Sequence, residues 1–225
     1  MKIVILLYDG FTALDAIGPY EVLSRLPGAA LTFAAARAGV VTSDTGFLKI
    51  EATTGIDAID AADIVLVPGG PGDEAVRAHA PTLAWLRRMH EQTTWTTSVC
   101  TGSLILGAAG LLRGLRATTH WAFFDELRSL GAEPVKARAV ESGKIVTAAG
   151  VSAGIDMALR LVQRIVGDDL ARGIQLGIEY DPDPPFDAGS PEKLPPEMVE
   201  LVRAFGRSAR VARAANAAQR ASERG

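Results

Sequence analysis

The chain contains one cysteine, Cys100, and it lies where a strand-like segment meets a helix-like segment. Residues 94–99 read TWTTSV and residues 101–107 read TGSLILG. A thiol in the first turn of a helix faces unpaired backbone N–H groups and the positive end of the helix dipole, and both favour the thiolate. A tight strand-to-helix turn also directs the side chain out of the sheet, as in the nucleophile elbows of hydrolases. Cys100 is therefore a candidate nucleophile, and the alternative is a buried, unreactive thiol.

A second candidate is Asp15, which lies in the otherwise apolar segment LDAIGP at residues 14–19. An aspartate at this place could cap the helix that follows the first predicted strand. The functional alternative is a buried acid whose raised pKa lets it hold and return a proton.

Two further groups could act beside the cysteine. The segment VPGGPG at residues 67–72 contains Gly69 and Gly70, whose backbone N–H groups could bind developing negative charge, although a glycine run alone is most often a turn. His120, in ATTHW at residues 117–121, could serve as a base for Cys100, or it could be a capping or core histidine.

The elements that must position these residues are short apolar strands separated by helices. Continuous apolar runs occur at residues 3–7, 31–36, 64–67, 96–99 and 145–149. Such runs are typical of parallel strands buried on both faces, and their alternation with helices predicts a doubly wound, mostly parallel α/β sheet with helices on both faces. Sites in such sheets form at the carboxyl ends of the strands, which is where Asp15, Gly69 and Cys100 fall.

Local patterns refine this prediction. Residues 40–53 alternate around a turn and are expected to form a hairpin. Pro81 is expected to divide the helical stretch at residues 74–92, and residues 120–130 are expected to form a helix that ends at Gly131.

The composition of the chain excludes several classes of function. The chain has 225 residues, of which 48% are hydrophobic, so it can bury one sizeable core. Its net charge of -3 argues against a nucleic-acid partner, and the absence of a run of about 18 apolar residues argues against a membrane span. A single cysteine favours a reducing compartment, so we expect a cytoplasmic protein. No pair of the three histidines has metal-ligand spacing and there is only one cysteine, so no metal is expected.

The C-terminal part of the chain differs from the rest. We expect an α/β domain at residues 1–180, followed at residues 181–225 by a Pro-rich arm and a C-terminal helix. The arm cannot form regular structure because its prolines remove backbone donors. We expect this part to pack on the core or on a partner subunit.

Three segments resemble the ThiJ/PfpI superfamily of class I glutamine amidotransferase-like proteins: IVLVPGG at residues 64–70, SVCTG at residues 98–102 and LDAIGP at residues 14–19. More narrowly, residues 100–121, 150–161 and 176–191 are similar to the bacterial isocyanide hydratases. The resemblance covers most of the chain and implies a flavodoxin-like fold, homodimers, and hydration of isocyanides to N-formamides without a cofactor.

The same resemblance separates several members of the superfamily. Deglycase- and glyoxalase-like members usually carry Glu where this chain has Asp15, and PfpI-type proteases carry His where it has Thr101. Regulators of the AraC type share the stretch at residues 100–121, but they continue into helix-turn-helix units whose pattern the residues after Pro191 lack.

For this chain the resemblance implies that Cys100 attacks the terminal carbon of a small apolar isocyanide and forms a thioimidate. Asp15 would protonate that carbon and then activate water. The Thr101 hydroxyl and the N–H groups near Gly69, Gly70 and Thr101 would orient Asp15 and stabilise charge.

Other roles and functions stay open in the sequence. Val151 is a candidate wall of an apolar pocket, and His120 is a candidate secondary group. A glyoxalase- or deglycase-like enzyme could use the same cysteine on aldehydes. A non-enzymatic sensor could instead respond to oxidation of Cys100.

We predict a homodimer that uses the C-terminal region. The arm carries Tyr180 and Phe186, and an Ala-rich helix without a partner would be marginally stable in water. Twofold symmetry is the commonest way to cover such a segment. Deletion of the residues after Pro191 should weaken self-association in light scattering, whereas an intact protein that is monomeric at micromolar concentration would show this prediction to be wrong.

Overall fold

The computed structural model describes the backbone of residues 1–222 and the side chains of residues 1–208 and 210. The strands are β1 (Lys2–Leu6), β2 (Ala30–Ala35), β3 (Gly39–Thr42), β4 (Lys49–Ala52), β5 (Thr54–Gly55), β6 (Ile64–Val67), β7 (Trp95–Val99), β8 (Arg116–Ala117), β9 (Glu133–Pro134), β10 (Ala139–Ser142) and β11 (Ile145–Ala148). The helices are α1 (Ala13–Leu23), α2 (Asp73–Ala78), α3 (Ala80–Gln92), α4 (Gly102–Ala108), α5 (Phe124–Ser129), α6 (Ala153–Val166), α7 (Asp168–Gly177) and α8 (Pro196–Ser222).

One sheet carries the fold, with strand order β10-β11-β7-β6-β1-β2-β5. Every neighbouring pair in it is parallel except β10 and β11, which pair antiparallel. The chain runs outward from β1 to β2 and β5 and then returns to the other side of β1 at β6. The strand order therefore reverses between β1 and β6, which is where α/β sheets of this kind place their sites. The predicted doubly wound, mostly parallel sheet is confirmed.

The two faces of the sheet bury separate apolar layers. Ile3 and Ile5 of β1 belong to a cluster with side chains of α1 and α6. Val4 and Leu6 point to the opposite face and belong to a cluster with side chains of α3 and α4. This alternation is the period of two that a strand buried on both faces must have. Both apolar layers hold the central strands in place. The carboxyl ends of these strands therefore form a rigid base for the residues that follow them.

Most local predictions agree with the structure. Strands β3 and β4 form the expected antiparallel hairpin, with Val41 opposite Ile50. Helices α2 and α3 divide before Pro81, which lies in the first turn of α3. The helix expected over residues 120–130 is shorter than predicted. Nδ1 of His120 accepts a hydrogen bond from the Ala122 N–H, which begins a 3₁₀ turn at Trp121–Phe123, and α5 follows only from Phe124.

The chain divides into two compact units, Met1–Tyr180 and Asp181–Gly225. The second unit begins without regular structure, as its prolines require, and continues through a 3₁₀ turn at Pro191–Lys193 into α8. Helix α8 exposes four apolar side chains at helical spacing, namely Met198, Leu201, Val202 and Phe205. Among the described residues, no helix combines the length and the apolar character needed to cross a membrane.

A close approach between two backbones predicts a sensitive position at Gly102. A Cβ atom built on Gly102 would lie 2.1 Å from the carbonyl oxygen of Val67 at the end of β6. Gly102→Ala should therefore lower the free energy of unfolding by about 3 kcal/mol or more, because neither backbone can move away. The measurement is urea unfolding followed by circular dichroism.

Gly173→Ala is the matched control, because a Cβ at Gly173 in α7 would meet no atom within 4 Å. It should raise the free energy of unfolding by up to about 1 kcal/mol through helix propensity. Equal effects of the two substitutions would contradict the close packing between α4 and β6.

Candidate active site

The cysteine occupies a strained turn between β7 and α4. Cys100 has φ of 57°, in the left-handed region that non-glycine residues seldom adopt. Its N–H donates to the carbonyl oxygens of Ala148 at 3.1 Å and Ala149 at 2.9 Å. Its own carbonyl oxygen accepts from the hydroxyls of Thr119 at 3.0 Å and Ser103 at 3.1 Å. Both backbone groups of the turn are therefore held by hydrogen bonds, which is what such a conformation needs to persist.

The carboxyl of Asp15 is buried beside this thiol. Asp15 is the third residue of α1 and has no exposed surface. Its Oδ2 accepts from the Gly69 N–H at 2.9 Å, the carboxyl interacts with the Cys100 thiol, and Oδ1 has no hydrogen-bond partner in the described part of the chain. Thr12 occupies the N-cap position of α1. Asp15 is therefore not a helix cap, and the buried-acid alternative describes its position.

Gly69 and Gly70 connect the acid to the cysteine turn. The N–H of Gly69 donates to Asp15, and the N–H of Gly70 donates to Oγ1 of Thr101 at 2.9 Å. A Cβ on Gly69 would lie 2.4 Å from the Thr101 nitrogen and 2.8 Å from Cβ of Cys100, so only glycine fits between them. These two N–H groups orient side chains, and in this arrangement they are not available to a developing charge on a substrate.

Two other backbone donors face the sulfur. The N–H groups of Thr101 and Val151 hydrogen-bond with Cys100 and favour its thiolate. Val151 has φ of 32°, a strained value for a β-branched residue, at the turn that leads into α6. The side chain of Val151 was expected to form a wall of the pocket. The Val151 N–H was not predicted as a donor, because nothing in the residue type indicates it.

The electrostatics of the site favour retention of a proton. Burial raises the pKa of Asp15 from 3.8 to about 7, and the Gly69 and Cys100 hydrogen bonds only partly offset this effect. Burial, followed by the charge of Asp15, also raises the pKa of the Cys100 thiol above its ordinary value. The backbone donors at this turn favour the thiolate, as the sequence predicted, but desolvation outweighs them and the pKa of the thiol is raised. Cys100 and Asp15 are better described as a pair that shares a proton.

His120 lies close to this pair but is engaged as a cap. Its Nδ1 accepts from the Ala122 N–H at 3.3 Å, and its ring contacts the rings of Trp121 and Phe123. With Nδ1 an acceptor, we infer that the neutral ring carries its proton on Nε2. The capping alternative therefore fits the geometry, and neither ring nitrogen is placed as a free base.

The described residues contain no group of three or more His, Cys, Asp or Glu side chains that could hold a metal ion. The site thus consists of a thiol, a carboxyl and backbone N–H groups. These groups can perform nucleophilic attack with coupled proton transfer.

The sequence model of the DJ-1/PfpI family matches residues 1–164, which include every group described above. This chain belongs to the DJ-1/PfpI family. The resemblance to ThiJ/PfpI proteins that the sequence segments indicated is confirmed.

Individual relatives cover most of the chain. An isonitrile hydratase from Pseudomonas putida is 46% identical over 203 residues, which are 90% of this chain and 89% of that protein. A deglycase from Thermococcus kodakarensis is 30% identical and matches 65% of this chain and 89% of its own length. The crystal structure of a ThiJ/PfpI family protein from Pseudomonas syringae superposes with a TM-score of 0.87 at 40% identity, over 93% of this chain and 89% of that one.

The raised pKa of Asp15 predicts a pH-dependent stability. Because its pKa of about 7 in the folded protein exceeds the ordinary 3.8, the folded state binds this proton more tightly than the unfolded state. The free energy of unfolding should therefore fall as the pH rises from about 4 to about 7. Asp15→Asn removes the ionisable group, so the free energy of unfolding no longer falls with pH. The variant should be more stable than the unmodified protein at pH ~8 by up to about 4 kcal/mol, with little difference at pH ~4.

The measurement is denaturant unfolding at several pH values. Asp125→Asn is the control, because the side chain of Asp125 is 98% exposed and should leave the pH dependence unchanged. An Asp15→Asn variant with the same pH dependence as the unmodified protein would rule out a buried, proton-holding Asp15.

Proposed function

We propose that this protein hydrates isocyanides to N-formamides through a covalent thioimidate on Cys100, with Asp15 as general acid and base. The observation that carries the proposal is the fully buried Asp15 carboxyl, which interacts with the Cys100 thiol and has a raised pKa. The similarity to an isonitrile hydratase supports it, since isonitrile is another name for isocyanide. The reaction consumes only the isocyanide and water.

The first step needs a nucleophile and a proton at the same carbon. The Cys100 sulfur forms a C–S bond with the terminal carbon, and the proton held by the pair moves from Asp15 to that carbon as the new C–H bond. The triple bond becomes a C=N double bond, which gives the thioimidate R–N=CH–S. The pair loses one proton in this step, and Asp15 is left as a carboxylate.

The second step adds water to the thioimidate. Asp15 takes a proton from water while the water oxygen bonds to the thioimidate carbon, and the proton passes to the nitrogen. The tetrahedral intermediate R–NH–CH(OH)–S then collapses. The C–S bond breaks, the hydroxyl proton returns to Asp15, and the products are R–NH–CHO and the Cys100 thiolate. The pair regains its original protonation.

The surrounding donors suit these steps. The Gly69 N–H fixes one oxygen of Asp15, and the other oxygen has no hydrogen-bond partner among the described residues, so it is available for proton transfer. The N–H groups of Thr101 and Val151 stabilise the thiolate whenever it carries charge. Each such donor is worth about 3 kcal/mol when it acts on charge that develops during a reaction.

A deglycase is the second candidate function, because the Thermococcus relative is 30% identical to this chain over 149 residues. One assay distinguishes the two functions. Pure protein is incubated with an aromatic isocyanide and, separately, with methylglyoxal, and the formamide and the remaining aldehyde are quantified. Formamide production supports the proposal. Consumption of methylglyoxal alone would replace it with the second function, and inactivity on both with ready peroxide oxidation of Cys100 would favour a sensor.

The covalent mechanism predicts a ranking of variants. Cys100→Ala should reduce formamide production to background, because no other described side chain at the site can bond to the carbon. Asp15→Asn should lower kcat by about 100-fold or more, since an amide can neither give nor take the proton. His120→Ala should lower kcat by less than about tenfold, because its Nδ1 serves as a cap.

Unfolding midpoints measured beside the rates show whether each variant is folded. Near-normal turnover of Cys100→Ala would eliminate the thioimidate. A larger loss in His120→Ala than in Asp15→Asn would move the acid and base role to His120.

A further inference from the structure

The turn that places the Val151 N–H against the sulfur is strained. Val151 has φ of 32°, and a non-glycine residue in this region costs about 1–3 kcal/mol. Such a conformation persists only where its surroundings determine it on both sides. The neighbouring residues of Val151 therefore identify what holds the donor in place.

One residue, Arg138, binds both flanks of this turn. Its carbonyl oxygen accepts from the N–H of Ala149 at 3.0 Å, two residues before Val151. Its Nη2 donates to Oγ of Ser152 at 3.1 Å, directly after Val151. Backbone and side chain of the same arginine thus bracket the strained residue.

The guanidinium is itself oriented by two further residues. Its Nε donates to Oδ2 of Asp156 in the first turn of α6, and the Tyr180 hydroxyl donates to Oδ1 of the same carboxylate at 2.9 Å. Asp156 is 24% exposed and Arg138 is 47% exposed, so the ion pair alone would contribute little to stability. The ion pair acts through its geometry, because the Asp156 carboxylate fixes the direction in which Nη2 of Arg138 points.

We propose that Arg138 is a positioning residue, which acts through the Ala149–Ser152 turn to keep the Val151 N–H directed at the Cys100 sulfur, and that Asp156 and Tyr180 orient its side chain for this task. None of the contacts of Arg138 described above is with the sulfur. Removal of Arg138 lets the turn relax toward an unstrained φ, which turns the N–H away from the sulfur.

The consequence is a thiol that ionises less readily. The charged groups that act on Cys100 are Asp15 from α1 and Asp73 from α2, and both raise the pKa of the thiol. His120, whose ring packs on Gly150 beside the turn, is a further titratable neighbour. Arg138 is not among the charges that act on the sulfur directly. A change in the ionisation of Cys100 on substitution of Arg138 therefore reports the turn and not the lost positive charge.

The test measures the rate of Cys100 alkylation by iodoacetamide against pH, which needs no isocyanide. Arg138→Gln should slow alkylation at pH ~8 by about tenfold and move the midpoint of the profile to higher pH. Arg138→Lys keeps the charge but loses the forked geometry, and should behave like Arg138→Gln. Tyr180→Phe should shift the profile in the same direction by a smaller amount. With an isocyanide as substrate, kcat should fall while KM stays within about twofold.

Arg164→Gln is the matched control, because Arg164 lies on α6, the helix of Asp156, and pairs with Glu141 at 3.2 Å. It should leave the alkylation profile unchanged. An Arg138→Gln variant that matches this control, or one that melts earlier with an unaltered profile, overturns the positioning role. A protein that hydrates no isocyanide yet shows the alkylation shift would refute the proposed function and leave this inference standing.

Discussion

The contact on which the site depends is a thiol and a carboxyl buried against each other. Burial disfavours the charged form of each group, and the charge of Asp15 also raises the pKa of the Cys100 thiol. The pair therefore holds on to a proton near neutral pH. A proton that is bound but poorly solvated can be transferred to a substrate carbon, and the negative charge of the pair then lies on Asp15.

The fold supplies the rest of the site from elements that meet at one edge of the sheet. Strand β1 leads to Asp15, β6 leads to Gly69, β7 leads to Cys100, and β11 leads to Val151. These strands are adjacent and parallel, so their carboxyl ends converge without any long-range adjustment. The Gly69 N–H donates to Asp15, so it connects the loop after β6 to the segment after β1. The Cys100 N–H donates to Ala148 and Ala149, so it connects the turn after β7 to the end of β11. The strain at Cys100 and Val151 is stored where these loops meet.

The sequence predicted this architecture well because the signals are local. Unalternating apolar runs predict the buried parallel strands. Asp15, Gly69 and Cys100 follow three of these runs, which is why they could be predicted as site residues. The rise in the Cys100 pKa could not be predicted from the sequence, because the burial that causes it depends on all the layers packed around the turn. The Val151 donor was also missed. The direction of a backbone N–H depends on φ, and a valine in the sequence does not indicate a left-handed turn. The bracketing contacts of Arg138 join residues distant in sequence and require coordinates.

The most direct measurement of the shared-proton account is the pH profile of kcat/KM for an aromatic isocyanide, taken from about pH 5 to about pH 9. The account predicts a rise with an apparent pKa near 7, which belongs to the Asp15–Cys100 pair, and a plateau above it where the pair holds one proton. A profile that is flat across this range, or one that rises only near the ordinary pKa of a free thiol, would contradict a proton shared by Asp15 and Cys100.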